Sequence, residues 1–476
     1  MNELRGYLAH APLRQAGSAL ALLIAVATVA GGASAVPGFT ELVSVRSNGK
    51  QGNDISGRFS PPAVSASGLV VAFDSVATNL VGGDTNDVDD IFVRDRSSGR
   101  TERVSEDSNG KQANGGSFFP AVSGDGRLVA FQSVATNLVP DDTNGVQDIF
   151  VHDRLTGVTS RVSVASHSGR QADGASNNAA ISDDGRFVAF VSGASNLVPR
   201  GVPGVYVHDL LTGVTELVSV SSDGVPANGF SAPPDISADG RFVTFASFAT
   251  NLVPGDTNGG FDVFVHDRAT GTTVRASVDS AGVEGNGFSS LNPSISADGR
   301  FVAFDSDATN LVAGDTNDRR DAFVHDLLTG VTERVSVDSA GNQGNNQSVG
   351  PGIRGGPTFG PEISGDGRFV AFDSIATNLV PDDTNTCALR SIYSFLVPGQ
   401  CPDVFVHDRQ TGATFRVSVD SAGAQSNGPS TDPAIDADGS VVAFFSAATN
   451  LVPDDTNTCG FFTGPGQCPD IFVHVG

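Results

Sequence analysis

Tryptophan is absent from the 476 residues, methionine occurs once and tyrosine three times. Aromatic bulk is therefore carried by 31 phenylalanines, which excludes an interior built on hydrogen-bonding aromatics and makes phenylalanine the large core residue. Positive charge is also scarce: 28 Lys and Arg stand against 53 Asp and Glu, a net charge of −25. A chain of this sign repels phosphate backbones and anionic membrane surfaces, which argues against nucleic-acid binding. No Gly-x-Ser-x-Gly elbow and no His-Glu-x-x-His occurs, so neither the nucleophile-elbow hydrolases nor the zincins fit. Beyond the first 35 residues no segment is apolar enough to cross a bilayer as a helix.

Those first residues read as a leader. Arg5 and Arg14 give a positive start, Ala19 to Ala30 form a twelve-residue apolar run, and Ala33-Ser-Ala35 supplies a small-x-small cleavage pattern. The expectation is a signal peptide over 1–35, cleavage near Ala35, and an exported protein, periplasmic or extracellular, with no membrane span in the mature chain.

What is abundant is repetition. Ile295-Ser-Ala-Asp-Gly-Arg-Phe-Val-Ala-Phe304 is followed by Asp305-Ser-Asp-Ala-Thr-Asn-Leu-Val-Ala-Gly-Asp-Thr-Asn317, then by Asp321-Ala-Phe-Val-His-Asp326 and Thr329-Gly-Val-Thr-Glu-Arg-Val-Ser-Val337. The phenylalanine ending Val-Ala-Phe recurs at Phe73, Phe131, Phe190, Phe245, Phe304, Phe372 and Phe444, seven copies near 60 residues apart. Hydrophobic period within a copy is two, which predicts strands. Asp298-Gly299 and Thr329-Gly330 supply hairpin turns. Each copy thus reads as a four-stranded antiparallel meander, and meanders in series predict a β-propeller.

The fold expected is all-β: a seven-bladed propeller over 36–476, with blades about 60–116, 117–175, 176–230, 231–288, 289–359, 360–430 and 431–476. The last copy stops after a third-strand pattern, Ile471-Phe-Val-His-Val-Gly476, while Thr40-Glu-Leu-Val-Ser-Val45 matches the fourth-strand pattern Thr215-Glu-Leu-Val-Ser-Val220. The N-terminal segment 40–45 is expected to complete the last blade and leave no exposed edge.

The run Ser-x-Asp-Gly-Arg-Phe-Val-Ala-Phe, with its Phe-Val-His-Asp strand and Thr-Gly turn, resembles the WD40-like (PD40-type) propeller repeat of the TolB family over residues 40–476. The resemblance implies the fold. It implies little about function, because related repeats serve transport accessories, peptidases and lyases. TolB is similar to a six-bladed propeller with a separate N-terminal domain, so a role in the Tol–Pal envelope system does not carry over.

The loop between the second and third strands is the least generic element. It places oxygen ligands at positions 1, 3 and 7: Asp84, Asn86, Asp90; Asp142, Asn144, Asp148; Asp256, Asn258, Asp262; and Asp315, Asn317, Asp321. Insertions part the equivalents Asp383, Asn385, Asp403 and Asp455, Asn457, Asp470, and the third copy lacks the motif. Oxygen sets of this kind suit Ca²⁺. Equally, Asp and Asn side chains bond nearby N–H groups and shape turns. Ca²⁺ is the only cofactor the sequence points to. Of the four cysteines, parallel contexts favour Cys387–Cys401 and Cys459–Cys468, each bracketing an insertion.

His152, His208, His266, His325, His407 and His474 share one third-strand slot. A position repeated in every blade, filled by Arg94 in the first copy, fits packing or bonding between blades better than catalysis, and no catalytic set stands out. The functional expectation is an exported, non-enzymatic, monomeric scaffold that binds a protein or glycan through its loop-rich face. The alternative is a secreted lyase or hydrolase with its site at the central channel mouth.

Overall fold

The computed structural model describes residues 38–349, 359–387, 400–459 and 466–476. The expected leader and most of the 347–359 insert lie outside the described residues. Seven four-stranded antiparallel sheets are present, with one small two-stranded hairpin beside the last. In the second blade the strands are Ser117–Val122, Leu128–Ser133, Asp148–Asp153 and Val158–Arg161, running from the channel outward. The other blades repeat this order, so the protein is the seven-bladed propeller its sequence suggests.

The second and third strands are buried on both faces, which is why they carry Val, Ala, Phe and Ile at successive positions. Their register sets Phe131 opposite Phe150, with the rings 5.9 Å apart and stacked. The same pair recurs as Phe304 and Phe323 at 5.8 Å, and as Phe190 with Tyr206 at 6.1 Å. Between blades, Val70, Ala72 and Val93 of one blade pack on Val129, Phe131 and Phe150 of the next. Full burial of one such side chain is worth about 1.5–3 kcal/mol, so the repeat supplies stability blade by blade.

The ring is closed by the chain's first described strand. Phe39–Leu42 pairs antiparallel with Asp470–Val475. Thr40 Oγ1 donates to the Val419 carbonyl at 2.5 Å, as Thr101 does to Val45 at 2.5 Å between other blades. Val441 and Val473 share a core cluster with Val71 and Phe73 across the seam. The strand ends earlier than the 40–45 pattern suggests, and the outer strand Thr332–Arg334 is likewise short. The cause is a serine: Ser336 Oγ takes the Ala322 N–H at 3.2 Å and donates to Asp321 at 2.7 Å, replacing the next rung of the ladder.

A second closure lies at one end of the channel, in the turns after the innermost strands. Ala66 N–H donates to Gly124 O, Gly124 to Asp183, Asp184 to Ala238, Ala238 to Ala297, Ala297 to Gly365, Asp366 to Ala437, and Ala437 back to Ala66, all within 2.9–3.2 Å. This circle of main-chain hydrogen bonds ties every blade to its neighbour. The Asp-Gly turn beside it needs glycine twice over. Gly299 has φ +74°, and a Cβ there would stand 2.1 Å from the Phe242 ring of the preceding blade.

Candidate functional site

The Asp-Thr-Asn loops are charged sites with a cation of their own. In the first blade Asn86 Nδ2 donates to Asp90 at 2.9 Å and to the Ala113 carbonyl at 3.1 Å. Ser105 Oγ donates to Asp90 at 2.5 Å. Arg103, at the end of the outer strand, lies 3.6 Å from Asp84 and 3.8 Å from Asp90. The second blade repeats this with Arg161, 3.4 Å from Asp142 and 3.8 Å from Asp148, while Asn144 donates to Asp148 at 2.8 Å. In the fifth, Arg334 stands 3.6 Å from Asp315 and 3.4 Å from Asp321, and Asn317 donates to the Gly344 carbonyl at 2.9 Å. The sixth has Arg416 at 3.4 Å from Asp383.

The fourth blade carries an extra carboxylate, Glu284, at a position that is Pro226 in the third blade and glutamine in the others. Ligand atoms of Asp256, Asp262 and Glu284 lie within 4.8 Å of one another, an acidic triad able to hold a metal ion. Arg275 lies among them, 2.5 Å from Glu284, 3.5 Å from Asp256 and 3.6 Å from Asp262. Asn258 donates to the Gly285 carbonyl at 2.9 Å, which orients the loop. Burial pushes Asp262 up to about 6.

Two blades lack this arginine. The third has Leu217, and Gly204 replaces the strand-entry aspartate there. Arginine and aspartate vanish together, as expected of ion-pair partners. The seventh has Leu42 yet keeps Asp470, which takes bonds from Ser44 at 2.6 Å, Gln51 at 2.9 Å and Asn457 at 2.9 Å. Burial, with Asp455 nearby, pushes Asp470 up to about 7.

The histidines are structural. His152 Nδ1 lies 2.9 Å from Thr159 Oγ1, and that hydroxyl donates to the Glu106 carbonyl of the preceding blade at 2.5 Å. A hydroxyl whose proton is so engaged must accept from the ring, so Nδ1 carries the proton. His208, His266, His325 and His407 repeat the bond at 2.8–2.9 Å. Burial lowers their affinity for a second proton. Arg127, Arg186, Arg241, Arg300 and Arg368 pair with the aspartates ending their third strands, at 2.6–2.7 Å. Cys387 and Cys401 form a disulfide with Cα atoms 5.0 Å apart. The side chain of Cys459 is outside the described residues.

The repeat breaks where sequence patterning gave no warning. The residue before the last Val or Ile of the innermost strand is Ala63, Ala121 and Ala180 in three blades and Ala434 in the seventh, but Asp235, Ser294 and Glu362 in blades four to six. These three line a central cavity of about 280 Å³ with Asn178, Pro233 and Ile295. Asp235 accepts the main-chain N–H groups of Ile236 and Ile295, each at 2.8 Å. Ser294 hydrogen-bonds both carboxyl groups, and its oxygen accepts the Ile363 N–H at 3.3 Å. Burial raises Asp235 to about 6, and burial with the charge of Asp235 raises Glu362 to about 8. Both are half-buried side chains that line the channel yet sit deep within protein, so desolvation governs them. Aligning the seven copies on that one column is the signal that finds them.

At the cavity's other end stand Phe119 and Phe359, from blades two and six, with ring centroids 6.0 Å apart. A bulge between Phe118 and Ala121, with Phe119 at φ 53°, aims that ring. A further aromatic group lies on the loop face of blades four and five. Phe230, Phe248 and Phe288 are 63%, 40% and 50% exposed. Phe248 lies 3.9 Å from Phe261 and 6.2 Å from Phe288, and Phe230 6.2 Å from Phe261.

Neither a protein-family profile nor a curated protein matches the sequence. Solved propellers do. TolB from Acinetobacter baumannii matches at 20% identity, over 59% of this chain and 53% of its own, with a TM-score of 0.35. The chain thus spans about half of that protein's length. Oligogalacturonate lyase from Vibrio parahaemolyticus is 14% identical over 94% of this chain and 98% of its own, TM-score 0.48. The propeller domain of the Trilobed protease from Pyrococcus furiosus is 12% identical over 89% and 94%, TM-score 0.48. The resemblance to TolB-type repeats holds at the level of the fold, and the neighbours include enzymes as well as TolB.

Proposed function

We propose that the protein is an exported binding propeller, non-enzymatic and monomeric, that takes a protein or glycan on its loop-bearing face. The observation that carries this reading is the aromatic platform of Phe230, Phe248, Phe261 and Phe288. No other blade has an aromatic residue at these loop-face positions: the column of Phe230 and Phe288 otherwise holds Ile55, Gly116, Ala175, Gln347 and Pro429, and that of Phe248 holds Val76, Val134, Gly193, Asp307, Ile375 and Ala447. Exposed apolar clusters rimmed by polar loops are a mark of recognition surfaces. The Cys387–Cys401 disulfide fits an oxidising compartment, and among the described residues no helix is long and apolar enough to cross a membrane. The test is binding to peptide and glycan arrays by wild type and by a Phe248→Ser, Phe288→Ser double variant. Ligands held by wild type and lost by the variant support the platform; equal binding by both contradicts it.

At the rim loops arginine is the counter-charge in this reading. Ca²⁺ at Asp84, Asp142, Asp256 or Asp315 would have to displace a guanidinium. A calcium-induced rise in melting temperature, reversed by EDTA, would restore the ion to these loops.

A second reading, a lyase or hydrolase at the channel mouth, is favoured by the unequal carboxyl groups Asp235 and Glu362. Such pairs divide acid and base roles in enzymes. Release of shorter products from acidic or neutral oligosaccharides, abolished by Glu362→Gln, would establish it.

A further inference from the structure

We propose that the central channel binds an organic cation of the ammonium or guanidinium type, which enters between Phe119 and Phe359 and is held by Asp235 and Glu362. The site lies apart from the Phe230–Phe288 platform, so its failure leaves the reading of that face standing.

Three independent features converge on this ligand. The first is uncompensated charge. Asp235, Glu362, Asp183 and Asp436 line the cavity, and among the described residues no Lys, Arg or His does. The influences on Asp235 and Glu362 are burial, hydrogen bonds and other carboxylates, with no cation among them. Buried charges in proteins are paired, hold an ion or stay protonated. Five rim sites of this same chain follow the first course, each with its arginine, and in the seventh Asp470 takes bonds from Ser44, Gln51 and Asn457 instead. Among the described residues the channel holds no such cationic partner, and it is open enough to admit one.

The second is the aromatic mouth. Phe119 and Phe359 project from blades two and six, which are not neighbours in the ring, and meet with centroids 6.0 Å apart. Faces of aromatic rings attract ammonium and guanidinium groups through the ring quadrupole. The third is the chemistry of the walls. A hard divalent cation such as Ca²⁺ or Mg²⁺ takes six or more oxygen ligands at close range. Here the Ser294 hydroxyl stands between the two carboxyl groups, both Asp235 oxygens already accept main-chain N–H groups, and the remaining lining is largely Pro, Ala and Ile. Those walls suit the methylene stem of a lysine- or arginine-like ligand, whose charged head needs only two or three acceptors. The cavity of about 280 Å³ is the size for such a group. The net charge of −25 favours its approach.

Proton exchange accompanies the binding. Glu362 has no main-chain donor to favour its anion, while Asp235 has two. At neutral pH the pair therefore holds a proton on Glu362, and an arriving cation releases it to solvent. The titratable groups facing Glu362 are Asp235 and, nearer the hydrogen-bonded circle, Asp183 and Asp436.

Isothermal titration of the whole protein at pH 7 and low salt is the test. Its arms are agmatine, cadaverine, a Gly-Ser peptide with one central arginine, and the chlorides of calcium and manganese. The expected result is one-site binding of the organic cations, with proton release seen by repeating the titration in buffers of different ionisation enthalpy. Glu362→Gln with Asp235→Asn should weaken it at least tenfold. Phe359→Ala, outside the carboxylate pair, should weaken it severalfold. Tighter binding of the peptide than of agmatine assigns the source to a partner protein; the reverse assigns it to a free amine. The proposal is overturned if wild type takes up no organic cation at millimolar concentration, if the double variant binds as well as wild type, or if only the metal chlorides bind.

Discussion

The rim loops and the central channel solve the same electrostatic problem in opposite ways. Both bury carboxylates. At the rim, Arg103, Arg161, Arg275, Arg334 and Arg416 each stand within 3.6 Å of an acid of their own blade, built into the repeat itself. In the channel the acids occur once, on single blades, and among the described residues no arginine lines it with them. A charge that recurs with its partner belongs to the architecture. A charge that appears alone, in a cavity, belongs to something the cavity receives.

The largest effect should come from emptying a rim site. Arg275→Leu copies the state of the third blade without removing the acids, and leaves Asp256, Asp262 and Glu284 uncompensated. Removing one partner of a buried ion pair costs about 3–5 kcal/mol, which urea unfolding would register. In this variant, unlike wild type, added Ca²⁺ should recover part of the loss through the triad. A variant as stable as wild type would show that the arginine is not the counter-charge.

Next in size is the pH response of the channel. Glu362 titrates near 8 when folded and near 4.3 when unfolded, so the folded form holds the proton more tightly. Its contribution is present below about pH 4 and is lost as pH rises to 8. Glu362→Gln should unfold at a temperature equal to or above that of wild type at pH 8, with a flatter profile between pH 5 and 8. A steeper profile in the variant would place the uncompensated charge elsewhere.

The smallest effect belongs to the exposed pairs. Arg300 holds the Asp326 carboxyl well below the usual range. A lowered acid stabilises above its unfolded value near 3.9 and loses this as pH falls. Because the arginine is more than a third exposed, Arg300→Ala should cost little stability. Differential scanning calorimetry at pH 7 and pH 3 would check it, the difference between the two proteins shrinking at the lower pH.

The fold was legible because a propeller writes its core in every blade. Phe131 and its six equivalents, the Asp-Gly turns and the Thr40 strand carry period, hairpin and closure in plain sequence. The disulfide Cys387–Cys401 was legible from matched flanks. The oxygen sets of the rim loops were legible too, but their partner was not, because Arg103 lies on a different strand and ordinary outer-strand patterning hides it. The joint loss of aspartate and arginine in the third copy, at Gly204 and Leu217, was the available clue. The channel was the least legible. Asp235, Ser294 and Glu362 look like routine polar positions in three separate strands, and only the packing of successive blades around the channel brings them to one wall.

A crystal structure grown with both agmatine and calcium chloride would test the contrast most directly. The account predicts a guanidinium in the channel against Asp235 and Glu362, with Arg275 in place among the rim acids. Calcium bound to Asp256, Asp262 and Glu284 with Arg275 displaced, and agmatine absent from the channel, would contradict it.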